Sequence, residues 1–196
     1  MQKNKNNSTQ KTIQIILMII IFINIAFITF IVAFVKVQKT YIYPLKYTAE
    51  IENSSKEFGV EKALILATIK EESSFNERAK SSKGAVGLMQ ITLSTANYIA
   101  KEINVKEYDL LNPETNIRFG TFYLSYLKNK FNDIKTTICA YNAGEGVVSE
   151  WLKDENKSKD GKTLMVVPYR ETENYLNKIL KSYKKYKKLY PNIVDK

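Results

Sequence analysis

The sequence predicts a mainly α-helical protein: one N-terminal transmembrane helix followed by a single helical domain. Three observations carry this. Thr12 to Val35 is an almost unbroken apolar run, interrupted by Gln14, Asn24 and Thr29. From Tyr41 onward apolar residues recur at helical spacing between capping and breaking residues. No stretch alternates apolar and polar side chains as a half-buried strand would.

The apolar run is the first element. Its 24 residues span about 36 Å at 1.5 Å per residue, enough to cross a bilayer with some tilt. A cleaved secretory signal has a shorter apolar core and a small-residue cleavage site. Here Ala33 is followed by Phe34 and Val35, so the run reads as a retained signal anchor. Lys3, Lys5 and Lys11 precede it and Lys36, Lys39 and Lys46 follow it, which nearly balances the positive-inside rule. The short tail and large following domain favour tail inside, domain outside. The expected organisation is a basic cytoplasmic tail (1–11), the anchor in the cytoplasmic membrane (12–35), a linker (36–47), an extracellular domain (48–190) and a tail (191–196).

In the domain, Thr48 is placed to cap a helix through Phe58, which Gly59 ends. Val60 to Glu72 forms the next helix. Ser73 to Gln90 reads as loop, with a small β element near residues 80–92 compatible. A helix follows over about Ser94 to Ile103. Asn112-Pro113 combines a capping side chain with proline at the first turn, and the helix it starts should turn Ile117, Tyr123, Leu124 and Leu127 inward. Ile134 to Tyr141, a turn at Asn142-Ala143-Gly144 and a helix to Leu152 come next. Lys153 to Lys162 is charged and breaker-rich, hence a flexible loop. Pro168 precedes a last helix through about Tyr190. Its stripe of Tyr175, Ile179, Tyr183, Tyr186 and Tyr190 reads as core packing, with Lys181, Lys184, Lys185, Lys187 and Lys188 on the solvated side.

Composition narrows the chemistry. There is no histidine and one cysteine, Cys139. That excludes Ser-His-Asp and Cys-His nucleophile systems, histidine-containing metal sites and any internal disulfide. Cys139, among Ile138, Ala140 and Tyr141, reads as a small core residue. Net charge is +10. Residues 1–39 hold five lysines and no acid, leaving 25 basic and 20 acidic residues in the remainder. That excess suits an anionic polymer or surface, and equally suits ordinary solubility.

Glu72 stands out among the carboxylates. On a helical wheel Ile65, Ile69 and Glu72 share one face with Leu64 and Leu66 beside it, while Lys70 points the opposite way and Glu71 falls off the stripe. One carboxylate is thus aimed into apolar surroundings. Burial raises a carboxyl pKa, and an acid still protonated near neutral pH can act as a general acid. A glutamate at a helix end is more often a solvated surface residue, and the downstream motifs decide against that.

Those motifs are E-S-S-F-N at 72–76, S-S-K-G-A-V-G-L-M-Q at 81–90, N-I-R-F-G-T-F-Y-L at 116–124, A-Y-N-A-G-E-G-V-V at 140–148 and P-Y-R-E-T-E-N-Y at 168–175. In this order and spacing the chain resembles lytic transglycosylases of the soluble-lytic-transglycosylase (SLT) type, with a goose-type lysozyme-like catalytic domain. The stretch Tyr43-Pro44-Leu45-Lys46-Tyr47 resembles the lead-in of membrane-anchored members from Gram-positive bacteria. The resemblance implies a groove for peptidoglycan glycan strands. It implies non-hydrolytic cleavage of the β-1,4 bond between N-acetylmuramic acid and N-acetylglucosamine, with no cofactor, metal or nucleic acid. Glu72 would protonate the glycosidic oxygen, then take the proton of the muramic C6 hydroxyl as it attacks C1, leaving a 1,6-anhydro end.

Further positions follow from the same resemblance. Ser73 would orient the acid, and Ser81 would contact the substrate's acetamido group. Gly87, Leu88, Met89 and Gln90 would form the groove wall. Tyr141 would bring its hydroxyl to Glu72, with Asn142 beside it, and Glu171 would support the groove. Three departures from the family pattern, Glu77, Leu93 and Glu145 where proline is common, affect turn chemistry. Two alternatives remain: a hydrolytic muramidase on the same fold, with Glu77, Asp109, Glu145 or Glu171 as a second carboxylate, and an inactive glycan-binding scaffold in a cell-envelope complex.

Overall fold

A computed structural model describes residues 2–194, with side chains from residue 13. The chain divides into two compact units at Pro44/Leu45.

The first unit is one helix, α1 (Gln2–Val37), closing in a π-helical turn at Gln38–Ile42. Ile13–Ile42 is long and apolar enough to cross a membrane, and its apolar side chains are exposed. Asn24 and Thr29, the polar interruptions of the run with described side chains besides Gln14, turn back onto the helix, donating to the Ile20 and Ala26 carbonyls.

The second unit is built from α2 (Thr48–Phe58), α3 (Lys62–Ser73), α4 (Leu93–Glu102), α5 (Pro113–Phe131), α6 (Ile134–Ala143), α7 (Glu145–Leu152), α8 (Arg170–Leu189) and α9 (Pro191–Val194). Its centre is α3. Every residue from Ala63 to Ile69 is buried, as expected of a helix apolar on all sides. α3 packs along α8, α2 along α5, and α6 touches α5, α7 and α8.

Caps fix most boundaries. Asn112 accepts from the Thr115 amide with Pro113 in the first turn, Thr92 caps α4 through Thr95, and Asp133 caps α6 through Thr136. One cap differs from expectation. Thr48 is already helical; Tyr47, left-handed at φ 55°, takes the cap position without a side-chain bond. Gly59 ends α2 at φ 67°, as its missing Cβ allows.

Ile117, Leu124 and Leu127 are buried on α5, with Tyr123 half-buried; Phe119, absent from the expected set, is buried too. Cys139 is fully buried, and burial pushes its thiol up to about 12. The charged loop after α7 is pinned rather than loose: Asp160 accepts from the Lys162 and Thr163 amides and the Ser158 hydroxyl, and Ser158 and Leu164 are buried. The C-terminal segment expected to be a tail forms α9, with Val194 buried. Between α3 and α4, two isolated bridges, Lys80 to Val86 and Val86 to Ile91, supply the small β element.

Candidate active site

Glu72 occupies the last turn of α3, where the chain reverses through two left-handed residues, Ser74 (φ 51°) and Phe75 (φ 64°). Phe75 is buried, so its side chain pays for the strain and locks the reversal. The reversal returns the chain as the loop 76–92, which forms a wall beside the end of α3.

That wall is held by a polar clamp. The buried Asn116 accepts from the Met89 amide at 2.7 Å and donates to the carbonyls of Val86 (2.9 Å) and Leu110 (2.8 Å). Gly87 fits because it has no side chain: at φ 80°, a Cβ there would lie 2.2 Å from Asn116 Nδ2 and 2.6 Å from the Leu110 carbonyl. A Cβ on Gly120 of α5 would lie 2.4 Å from Met89 Sδ, so that glycine lets Met89 sink into the core. Ser73 closes the ring from the other side, its hydroxyl 2.8 Å from the Leu88 carbonyl and 3.1 Å from that of Ile69. Gln90, left-handed at φ 51°, donates its amide to the carbonyls of Gly87 (2.9 Å) and Ala79 (3.2 Å).

Glu72 itself is mostly buried, and its carboxyl accepts a 2.6 Å hydrogen bond from the Tyr175 hydroxyl of α8. Burial raises its pKa to about 7; the Tyr175 bond opposes this and the neighbouring Glu71 charge adds to it. Glu71 faces another way. Burial pushes its carboxyl up, but Lys70 at 2.6 Å and the Ser182 hydroxyl at 2.6 Å outweigh that and hold it low. Adjacent in sequence, one carboxyl is raised to about 7 and the other is held low.

The tyrosine at Glu72 is not the expected one. The Tyr141 hydroxyl donates to the Met89 carbonyl at 2.8 Å; the hydroxyl on Glu72 belongs to Tyr175. Tyr141 is nonetheless close enough for the Glu72 charge to help burial push its own pKa well up. The Leu88 and Met89 side chains are fully buried, and the Met89 amide and both carbonyls are engaged within the protein, so these two residues build the wall from behind instead of lining it. Asn142 accepts from Thr172 at 2.8 Å, tying the end of α6 to the start of α8. Ser81 is exposed and accepts from the Ala85 amide. Glu171 is exposed and lies 3.5 Å from Lys83.

The other carboxylates weighed as partners are occupied elsewhere. Glu77 accepts from Tyr47, Asp109 caps the Leu111 amide, and Glu145 is held by Tyr126 and Lys130. Among the described residues, no group of three or more His, Cys, Asp or Glu side chains could hold a metal ion.

Next to the site lies a cavity of about 230 Å³ lined by residues 90–92, Thr95, Tyr123, Tyr141 and 142–144. Ring contacts run outward from it: Tyr141 to Tyr123 (5.6 Å), Tyr123 to Tyr126 (6.1 Å) and Tyr126 to Tyr98 (5.5 Å). Aromatic faces beside amide and hydroxyl groups suit the apolar faces and hydroxyl edges of a sugar ring. A larger open hollow of about 720 Å³, between Ser55, Glu61 and Lys187, includes none of these residues.

Sequence reasoning missed Tyr175, Asn116 and Gly120. All three lie within the quoted motifs, but the helical stripe reads Tyr175 as core packing, and nothing local gives Asn116 or Gly120 a role. Comparison with known proteins gives these features a setting. Residues 50–164 match the Transglycosylase SLT domain. The chain is 33% identical over 144 residues to the soluble lytic murein transglycosylase of Salmonella typhimurium, a match covering 70% of this chain and 22% of that protein. It is 32% identical over 168 residues to the membrane-bound lytic murein transglycosylase C of Pectobacterium atrosepticum, covering 73% and 47%. The chain therefore spans less than half the length of these relatives. The crystal structure of the 70 kDa soluble lytic transglycosylase of Escherichia coli superposes with a TM-score of 0.66 at 31% identity, over 74% of this chain and 25% of that one. The fold is the mainly helical, lysozyme-like one that the sequence motifs implied, behind one N-terminal apolar helix. By its motifs, fold and match over most of the second unit, the chain belongs to the SLT transglycosylase domain family.

Proposed function

We propose that the chain is a membrane-anchored peptidoglycan lytic transglycosylase, with Glu72 as its acid and then its base. The observation that carries the reading is the state of Glu72: a mostly buried carboxyl, raised to about 7 and aligned by a single 2.6 Å bond from Tyr175. A group poised there is protonated often enough to donate to a glycosidic oxygen, and its conjugate base is strong enough to take a proton back. Glu72 protonates the oxygen between N-acetylmuramic acid and N-acetylglucosamine as the C1–O bond breaks. The resulting carboxylate removes the C6 hydroxyl proton, O6 bonds to C1, and a 1,6-anhydro end forms with no water consumed. Tethering the nucleophile to the same ring supplies a large effective concentration.

The hydrolytic alternative needs a second carboxylate about 6.5–9.5 Å across the sugar to activate water, or one about 5 Å away as nucleophile. Among the described residues, Glu71 is the one carboxylate whose charge acts on Glu72, and it is turned to Lys70 and Ser182. In this reading residues 13–42 hold the protein in the cytoplasmic membrane with the folded unit on the wall side. Ser81, Gln90, Asn142 and Glu171 border the glycan path, while Ser73 and Tyr141 fix its wall. Mass spectrometry of peptidoglycan digested by the detergent-purified chain tests the reading. Muropeptides ending in 1,6-anhydro-N-acetylmuramic acid are expected, unchanged by chelators. Free reducing muramic ends would make it a muramidase, and binding without release a scaffold.

A further inference from the structure

The outward face of α8 is the feature that the site leaves unused. Between Asn174 and Leu189 this helix carries six lysines and no acid. Lys187 turns to Glu61 at 3.3 Å, and Lys178 lies near Glu71. The other four, Lys181, Lys184, Lys185 and Lys188, fall within an arc of about 100° on the wheel. Three are exposed and Lys185 half-buried. Among the described residues none of the four has a carboxylate within ion-pair distance. Elsewhere on the unit some lysines are in ion pairs, as Lys56 and Lys62 are to Glu52 and Lys130 is to Glu145, but among the described residues no other helix face gathers four without one.

We propose that this lysine face docks the folded unit on an anionic phospholipid surface. Charge complementarity names the chemistry: a cluster of four or more lysines on one helix face attracts anionic headgroups within a Debye length. The sequence names the source. Residues 13–42 suit a membrane span, and only residues 43–47 separate the end of that helix from α2. Five residues reach at most about 18 Å when extended, so lipid headgroups are the anionic surface that the unit meets at highest local concentration. Tyr175 and Ser182, which reach Glu72 and Glu71, lie about 130° and 110° round the wheel from the centre of that arc. Docking through the lysines therefore leaves the catalytic carboxyl uncovered. The proposal rests on the anchor reading and not on the reaction chemistry.

The test reconstitutes the full chain in vesicles of phosphatidylcholine alone or with about a third phosphatidylglycerol, and measures the rate of lysine acetylation by mass spectrometry. Lys181, Lys184, Lys185 and Lys188 should be acetylated about fivefold or more slowly in the anionic vesicles. That protection should vanish in about 0.5 M NaCl, where screening shortens the range of attraction to a few Å. Lysines on other faces, such as Lys101 and Lys106, should not change. The combined variant Lys181→Gln, Lys184→Gln, Lys185→Gln and Lys188→Gln should remain in neutral vesicles but show no lipid-dependent change in the amide exchange of α8. Equal acetylation in both vesicle types overturns the proposal, as does protection by soluble peptidoglycan fragments in place of anionic lipid. Sedimentation with neutral vesicles in high salt reports the apolar helix alone. Its failure would overturn the anchor, and with it the lipid as occupant.

Discussion

Two tyrosine–glutamate hydrogen bonds on α8 have the same length and opposite consequences. Tyr175 donates to Glu72 at 2.6 Å, and two turns later Tyr183 donates to Glu61 at 2.6 Å. Both glutamates are on or beside α3. Glu72 is raised to about 7 by burial, with Tyr175 opposing and Glu71 adding to the rise. Glu61 is also pushed up by burial, but Tyr183 and the Lys187 ammonium at 3.3 Å outweigh it, and its pKa ends below the usual carboxylate value. A hydrogen bond thus does not set the protonation state of a carboxyl. The balance of desolvation against nearby positive charge does. Near Glu72 the neighbouring charge is an acid; near Glu61 it is a lysine. The same contact meets a carboxyl raised to about 7 at one end of the helix and a surface ion cluster at the other.

The largest expected effect separates the two glutamates by turnover. Glu72→Gln keeps the shape and removes the transferable proton, so release of anhydromuropeptides should fall by about 10⁴-fold, the upper end for a general acid–base group, because the proposed reaction uses it in both steps. Glu61→Gln should leave the rate within about twofold. Near wild-type turnover in Glu72→Gln would break the comparison.

The next effect is on stability against pH. The folded pKa of Glu72 is raised above its unfolded value, so its favourable contribution is complete below about pH 4.5 and is lost as pH rises through about 7. A shift of that size corresponds to about 3 kcal/mol. Denaturant titrations should show Glu72→Gln gaining stability relative to wild type between these pH values, with the gain level above them. Glu61 has the opposite sign: its contribution is present at neutral pH and is lost on acidification. An identical pH response of the two variants would refute the assignment of burial as the dominant cause at Glu72.

Activity should follow the same ionisation. If proton donation by Glu72 limits the reaction, kcat/KM should fall as pH rises through about 7, in a descending limb that is independent of added metal. Tyr175→Phe removes the bond that opposes the rise in pKa, so the limb should move to higher pH. A limb unmoved by Tyr175→Phe would mean that some other group sets it.

The smallest effect compares the two tyrosines directly. Tyr175→Phe leaves a mostly buried carboxyl without its donor and should cost about 1–2 kcal/mol of unfolding free energy at neutral pH. Tyr183→Phe, on the exposed cluster, should cost under about 0.5 kcal/mol. Equal losses would show that the two environments differ less than their geometry indicates.

Much of this molecule was legible in its residues. The long apolar run, the Asn112-Pro113 start of α5, the glycine stop at Gly59 and the buried Cys139 follow from signals within a few positions of each residue. Glu72 was legible for a related reason: helical periodicity places it with Ile65 and Ile69. The same wheel set Glu71 off the apolar stripe, and the structure gives it separate partners. Less legible were contacts between elements. The Tyr stripe of α8 reads as uniform packing, yet Tyr175 and Tyr183 each reach a carboxylate of a helix more than a hundred residues away in sequence. Tyr141 lies in a motif that marks the site, but nothing local says that its hydroxyl goes to the Met89 carbonyl and leaves Glu72 to another tyrosine.

By itself the sequence determined which segments are helical, where the long apolar helix lies and which carboxyl is aimed at apolar neighbours, because propensity, capping and periodicity act over one or two turns. The tertiary structure alone decided how far that carboxyl is desolvated and which group donates to it. Those depend on which helix packs over the end of α3, on the Asn116 clamp and Gly87 that bring the loop close, and on how much water the assembled wall excludes. Desolvation is a property of all the atoms around a group, and no short stretch of chain specifies it.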